Sequence, residues 1–190
     1  GQSLAGETGV RIDLDHTRFD GQFRYGNHQF SAQYQDYQHE EIEDTGEVAT
    51  KFDKVTHGAR WQLPLYFQSR QEVVVGAEFQ QEDLKISGEE AFLPNSESKQ
   101  AIAFASWKRP LGAHDVSASA RFQQQTLAFN DTKRKDETFS AVLANRWQFL
   151  PTWAINAQLS HNERAPSIEE IGADGVHLAT QSYDEGNANI

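Results

Sequence analysis

Cysteine and methionine are both absent from the 190 residues of this chain. Without cysteine, the chain has no disulfide framework and no thiolate metal site. No apolar run approaches the ~18 residues of a transmembrane helix, which excludes a helical membrane span. The start also lacks the charged, apolar and small-residue succession of a signal peptide. We therefore expect a processed or excised piece of a longer protein.

Basic residues are scarce. The 17 Lys and Arg residues stand against 28 Asp and Glu residues, which gives a formal net charge of -11. Phosphate binding needs clustered Lys and Arg, and the only basic run, residues 133–135, is short. The charge balance therefore excludes a nucleic-acid partner.

Catalytic motifs are missing as well. The chain has no Gly-x-Ser-x-Gly elbow, no phosphate-binding loop and no His-Glu-x-x-His pair. The neighbouring Glu169 and Glu170 resemble an acid pair, but adjacent residues do not face each other in a helix or a strand. We expect no enzymatic activity.

Aromatic residues, in contrast, are plentiful. The chain has 12 Phe, 5 Tyr and 4 Trp, although its hydrophobic fraction is 37% and its mean hydropathy is -0.70. This mixture is typical of strands that alternate polar and apolar residues. The alternation predicts about eight strands in four hairpins, with short turns at residues 26–27, 68–70, 111–113 and 150–152. A change of parity before Thr17 predicts a β-bulge near Asp15 and His16.

The two ends of these hairpins differ. Short turns alternate with long polar segments at residues 39–52, 82–99, 128–137 and 162–190, as in membrane barrels with short periplasmic turns and long outer loops. Six aromatic residues collect at the short-turn ends like an interfacial girdle: Tyr25, Tyr66, Phe67, Trp107, Phe149 and Trp153. Alternation alone also allows a soluble barrel, whose polar rows face water and whose interior is apolar.

The stretch 162–190 is polar, contains Gly and Pro, and is longer than a typical connection, which indicates a functional loop. It reads Arg-Ala-Pro-Ser-Ile-Glu-Glu from Arg164, Gly-Val-His-Leu-Ala-Thr from Gly175 and Asp-Glu-Gly-Asn from Asp184. This pattern closely resembles the TonB-dependent outer-membrane receptors, nearest to the branch that includes zinc importers. Ile171 and Gly172 depart from the family, whose members often carry a bulky apolar residue after Glu-Glu-Leu.

The resemblance implies an all-β fold, namely an antiparallel up-and-down transmembrane β-barrel segment in the outer membrane of a Gram-negative cell. It implies that residues 1–190 are a middle section of the receptor barrel without a plug domain, and that residues 162–190 are an extracellular loop. Outer-membrane lipid and the TonB complex, acting through the absent plug, are the implied partners. The alternative is a small stand-alone outer-membrane barrel or a soluble ligand-binding β-barrel.

The resemblance also implies a transported metal ion or metal chelate, with zinc favoured over a siderophore or haem, and no separate cofactor. Imidazole and carboxylate groups suit zinc. The candidate ligands are His177 as first choice, His161, His16, Asp15 and Asp174. Each histidine can instead be a solvated loop residue or a hydrogen-bonded residue at a strand end.

Other residues of the motif are expected to hold the shape of the loop: Arg164, Pro166, Glu169, Gly175, Thr180 and Gly186. Arg164 and Glu163 would brace it through charge-assisted hydrogen bonds, and Pro166 would fix the backbone where the strand stops. The acidic run at residues 39–44 either draws cations to the entrance or is a solvated loop that prevents edge pairing.

Overall fold

The computed structural model describes residues 11–67, 70–89, 91–177 and 182–190. Eight strands form one antiparallel sheet, in which each strand pairs with the next along the chain. They are β1 (Arg11–Tyr25), β2 (His28–Ile42), β3 (Val48–Phe67), β4 (Gln71–Ser87), β5 (Ser96–Leu111), β6 (His114–Phe129), β7 (Thr132–Leu150) and β8 (Trp153–His161). The predicted all-β, up-and-down arrangement is confirmed. Within the described ranges, no helix is long and apolar enough to cross a membrane.

The two faces of the sheet differ in chemistry. One, the apolar face, carries the predicted apolar rows, and large side chains on it remain exposed, such as Phe19 at 67% and Leu143 at 52%. The other, the polar face, carries the glutamine-rich rows, where Gln62 Nε2 donates to Gln29 Oε1 at 2.8 Å. A broad exposed apolar surface suits contact with hydrocarbon, and hydrogen-bonding side chains suit contact with water.

Aromatic side chains border the apolar face at both ends. The predicted girdle residues lie toward the short turns, and Tyr25 and Trp153 directly flank two of them. Tyr66 has the parity of the polar face, so the other five border the apolar face. The sequence interpretation missed a second row toward the opposite border: Phe19, Tyr34, Phe79, Phe122 and Phe139. From Phe139 to Phe149, β7 covers roughly 33 Å, which at a tilt of about 40° spans the ~25 Å apolar band of a membrane barrel.

The apolar band runs obliquely across the sheet. A continuous row of paired residues leads from Phe23 on β1 through Phe30 and Trp61 to Phe122 and Phe139. Phe23 lies near the short turn of β1, whereas Phe139 lies at the opposite border of the band on β7. In a bilayer, the apolar band lies parallel to the membrane plane. It can therefore cross successive strands at different distances from their turns only if the strands are tilted relative to the membrane normal.

The long polar segments inside the sheet are mostly strand, so the prediction of long loops there was wrong. β2 continues to Ile42, β3 begins at Val48, and Asn130 and Asp131 alone connect β6 to β7. Polar and charged residues are frequent on both faces in these segments, which weakens the apolar alternation, but backbone pairing does not require it. The hairpins therefore extend beyond the apolar band at this end, which we call the long-loop end.

The β-bulge predicted near Asp15 and His16 was also wrong. β1 pairs with β2 without a shift in register along its whole length. Ile12 and Leu14 lie on the polar face, beyond the end of the apolar band. They therefore alternate with the apolar row of β1 because they are on the other face, and no inserted residue is needed to explain it. Register shifts occur instead near the ends of β2 and β7.

The sheet is open across the described part of the chain, since β1 and β8 are its edges and do not pair with each other. This arrangement differs from the closed eight-stranded barrel considered as an alternative. Open edges leave backbone N–H and C=O groups unpaired, which the hydrocarbon core of a bilayer does not tolerate. Both edges therefore require pairing partners in a membrane.

A buried hydrophobic cluster lies on the polar face at the long-loop end. The segment after β8, predicted as an irregular loop, contains α1 (Ile168–Gly172), β9 (Asp174–His177) and β10 (Ser182–Glu185). We call residues 163–177 and 182–187 the lid. The cluster joins the lid to residues 91–95 and to the sheet through Leu84, Ile86, Phe92, Leu93, Leu127, Ile168, Ile171 and Ala173.

Candidate ligand-binding site

Helix α1 of the lid begins with a capping arrangement. Ser167 is the N-cap residue, and its backbone N–H donates to Glu170 Oε2 at 2.9 Å. Arg164 donates two further hydrogen bonds to the same carboxylate, the one to Oε2 at 2.6 Å. These donors favour the charged form and lower the pKa of Glu170 to about 2, with the Arg164 guanidinium as the larger cause. Glu170 therefore remains an anion that ties the helix to the chain before it.

Three backbone hydrogen bonds attach the rest of the lid. Asp174 N donates to Phe92 O at 2.8 Å, Gly186 N to Ala173 O at 2.7 Å, and Asn187 N to Glu170 O at 2.7 Å. They join β9 to residues 91–95 and place the chain after β10 against α1. The lid is thus one hydrogen-bonded unit.

Two glycines of the motif permit close packing in the lid. A Cβ on Gly186 would lie 2.6 Å from the carbonyl carbon of Ile171, so no larger residue fits without moving the backbone. A Cβ on Gly175 would lie 3.0 Å from the Cβ of Phe92. Pro166 is fixed from the sheet, because its carbonyl oxygen accepts from Gln125 Nε2 at 3.0 Å.

The chain leaves β8 through a hydrogen-bonded junction. His161 Nε2 lies 2.9 Å from Glu163 Oε1, and Glu163 Oε2 accepts from the backbone N–H of Phe139 at 2.9 Å. Ser140 Oγ also contacts the backbone of Glu163. Glu163 therefore satisfies a backbone donor on β7 at the point where its pairing with β8 ends.

The residues predicted to bind metal lie on three separate elements. Asp15 and His16 are on β1, and the His16 ring contacts Tyr37 on β2 at a centroid distance of 6.0 Å. His161 ends β8, at the opposite edge of the sheet. Among the described residues, no three His, Asp or Glu side chains form a group that could hold a metal ion.

Asp174 and His177 share an element, since they are the first and last residues of β9. His177 pairs with Ser182, and Asp174 pairs with Glu185. Asp174 Oδ1 accepts a hydrogen bond from the Tyr183 hydroxyl at 2.6 Å, which raises the pKa of Tyr183. Thr180, the remaining residue predicted from the motif, lies outside the described residues.

A cavity of about 270 Å³ lies between the lid and the polar face of β2, β3 and β4. We call it the lid cavity. His39 stands at its wall, with Nδ1 3.1 Å from the Tyr37 hydroxyl and Nε2 3.6 Å from Glu41 Oε1. Glu41 is fully buried, and Glu169 of α1 lines the cavity from the lid.

The sequence interpretation missed this cavity because it placed residues 39–44 in a loop. His39 and Glu41 belong to β2 and lie on the polar face, two and four positions beyond Tyr37. The period of two across these residues was the available signal. The reading of a solvated loop was wrong for Glu41 and Ile42, which are buried. Glu169, predicted to hold the loop shape, faces the cavity.

The chain also matches a known protein family. A family model described as "TonB dependent receptor-like, beta-barrel" matches residues 2–190. The match covers nearly the whole chain and includes all eight strands of the sheet as well as the lid.

Proposed function

The chain belongs to the family of TonB-dependent receptor β-barrels, and from this premise we propose that its receptor takes up a metal ion or a metal chelate, with zinc as the first candidate. The family sets the coarser function, which is that of an outer-membrane receptor and transporter rather than an enzyme. A siderophore complex and haem are the other candidates of the same class.

The observation that carries this proposal is the Asp174 carboxylate, which the Tyr183 hydroxyl orients at the start of β9. His177 enters the proposal from the sequence motif and ends the same strand. The lid holds this strand beside the polar face through the hydrogen bond from Asp174 N to Phe92 O. Carboxylate and imidazole are common zinc ligands, and a ligating side chain is usually oriented by a hydrogen bond from a neighbour. Tyr183 provides such a bond to Asp174.

The long-loop end is the entrance in this proposal, and the polar face lines the path through the barrel. A plug domain outside these 190 residues would contact the TonB complex, which supplies the energy for transport. Outer-membrane lipid would contact the apolar face. The acidic run at residues 39–44, at the long-loop end, would attract cations to the entrance.

Isothermal titration of the complete receptor in detergent, with zinc and separately with ferric chelates, tests the proposal. We expect zinc to bind and His177→Ala to weaken binding by roughly 10- to 100-fold, the range typical when a group that supports a metal site is lost. His57→Ala is the control, because His57 is exposed and lies on β3. Unchanged zinc affinity in the His177 variant would remove this residue from the site.

A further inference from the structure

The lid cavity combines aromatic walls with carboxylates. The rings of Tyr37, Phe52 and Phe92 line it, and the centroids of Phe52 and Phe92 are 6.0 Å apart. The apolar and aromatic side chains supply a surface for the body of an organic molecule. The polar face and residues 92–93 supply most of the wall, and Glu169 of the lid completes it.

The charges around this cavity are unequal. Glu41, Glu82 and Glu169 contribute three carboxylates, and Lys54 contributes one ammonium group, which gives a formal charge of -2 with His39 neutral. Lys54 Nζ lies 3.9 Å from Glu82 Oε2 and 5.8 Å from the centre of the Tyr37 ring. A cation is already accommodated here over an aromatic ring and beside a carboxylate.

We propose that the lid cavity binds an organic cation that has an apolar or aromatic body. The negative charge attracts the cationic group, and aromatic faces bind cations through their quadrupoles. An anionic ligand would meet three carboxylates in a partly buried setting. A bare metal ion lacks a group of three ligating His, Asp or Glu side chains among the described residues.

This inference goes beyond the proposed metal uptake and does not depend on it. The site for zinc was argued from Asp174 and His177 on β9, whereas the cavity lies between α1, residues 92–93 and strands β2 to β4. Either binding event can fail without the other. The two titrations therefore give separate answers.

The test uses the complete receptor in detergent micelles and three probes of similar size: benzyltrimethylammonium, benzyl alcohol and phenylacetate. Calorimetric titration, corrected with receptor-free micelles, should show binding of the cation, weaker binding of the alcohol and none of the carboxylate. Equal affinity for the cation and the alcohol, or tighter binding of phenylacetate, would overturn the proposal.

Two substitutions in the cavity should act in opposite directions. Glu82→Gln should weaken binding of the cation roughly three- to tenfold, because it removes one attracting charge and leaves the Lys54 ammonium without this carboxylate. Lys54→Gln should strengthen binding, because it removes the competing cation. Loss of folding would weaken binding in both variants, so the opposite signs separate a charge effect from a structural one.

Glu78→Gln is the matched control. Glu78 lies on the same strand and the same face as Glu82, but it pairs with Arg60 toward the middle of the sheet. We expect the Glu78→Gln receptor to bind benzyltrimethylammonium with the same affinity as the unmodified receptor. Equal weakening in the Glu78 and Glu82 variants would show that the cavity does not select the cation.

Discussion

At the scale of single residues, a few side chains and glycines determine whether the lid is docked. Glu170 accepts hydrogen bonds from both Arg164 and the Ser167 backbone, so one carboxylate connects α1 to the chain before it. Gly186 allows the backbone after β10 to approach the end of α1. Neither role depends on a ligand, and each can be tested in the ligand-free receptor.

The Glu170 carboxylate predicts how the lid responds to pH. Its pKa is lowered from 4.5 to about 2, so its stabilising contribution is complete above pH 4.5 and is lost as the pH falls toward 2. We expect amide protection factors across residues 164–175 to be equal at pH 7 and 5 and to fall below pH 4.5. In Glu170→Gln this pH dependence should disappear. A fall in the protection factors of the unmodified receptor already between pH 7 and 5 would contradict the assignment of the effect to Glu170.

Gly186→Ala tests the close approach of the lid backbone. The added Cβ would lie 2.6 Å from the Ile171 carbonyl carbon and 2.7 Å from Gly172 N, so the lid must shift. We expect faster proteolysis and faster amide exchange within the lid, with the sheet unchanged. Gly21→Ala is the control, since its Cβ meets nothing within 4 Å. Equal amide protection of the lid in the Gly186 and Gly21 variants would show that the lid accommodates a Cβ at position 186.

At the scale of elements, each strand presents hydrocarbon-facing and water-facing residues in turn. Ala120 and Ser119 are neighbours on β6, one on the apolar face and one on the polar face. Their side chains are small, so a substitution at either position changes polarity without removing a large group. This pair isolates the environment of each face.

Ala120→Arg should destabilise the receptor by about 2 to 4 kcal/mol, the cost of an arginine near the middle of the lipid-facing band of a barrel. Ser119→Arg should change stability by less than about 1 kcal/mol, because its guanidinium remains in water. Reversible denaturant unfolding in lipid vesicles measures both. A larger loss for Ser119→Arg would mean that the assignment of the faces is inverted.

At the scale of the whole molecule, the open edges of the sheet and the lid are the features that need partners. The sheet runs from β1 to β8 without closing in the described part of the chain. In hydrocarbon, each unpaired backbone group costs several kcal/mol, so the edges must be paired inside a membrane. The lid, in turn, is held by the polar face of strands that are distant in sequence.

Amide hydrogen exchange of the complete receptor in lipid vesicles tests the edge argument. The β1 amides between Thr17 and Tyr25 should exchange as slowly as those of the central strand β4, since both would be paired. An isolated 190-residue chain in detergent provides the comparison, and there the β1 amides that do not point to β2 should exchange faster. Fast exchange in the complete receptor would contradict pairing of this edge.

The lid should open as a unit when its buried contacts are weakened. Ile171 is 5% exposed and belongs to the core cluster, so Ile171→Ala should cost about 2 to 4 kcal/mol in the free energy of lid opening. Exchange of lid amides under native conditions measures that energy. Leu159→Ala on the apolar face, where Leu159 is 74% exposed, should leave lid exchange unaltered.

Much of the fold was predictable from the sequence, because a period of two specifies strand faces wherever one face is apolar. The eight strands, their order, the turn at Gly26 and the two faces follow from that rule. The same rule gave the wrong extent for the strands beyond the apolar band, where the lid covers part of one face. There, backbone pairing continues although the alternation of apolar and polar side chains is weak.

The sequence by itself determined the class of protein, since periodicity and the motif beginning at Arg164 are local properties of the chain. Only the tertiary structure decided where that motif lies, because its docking depends on Leu84, Phe92 and Leu127, which are distant in sequence. The same contacts create the lid cavity and bring His39 beneath α1. A cavity formed by contacts across β2, β4 and the lid has no signature in any single segment.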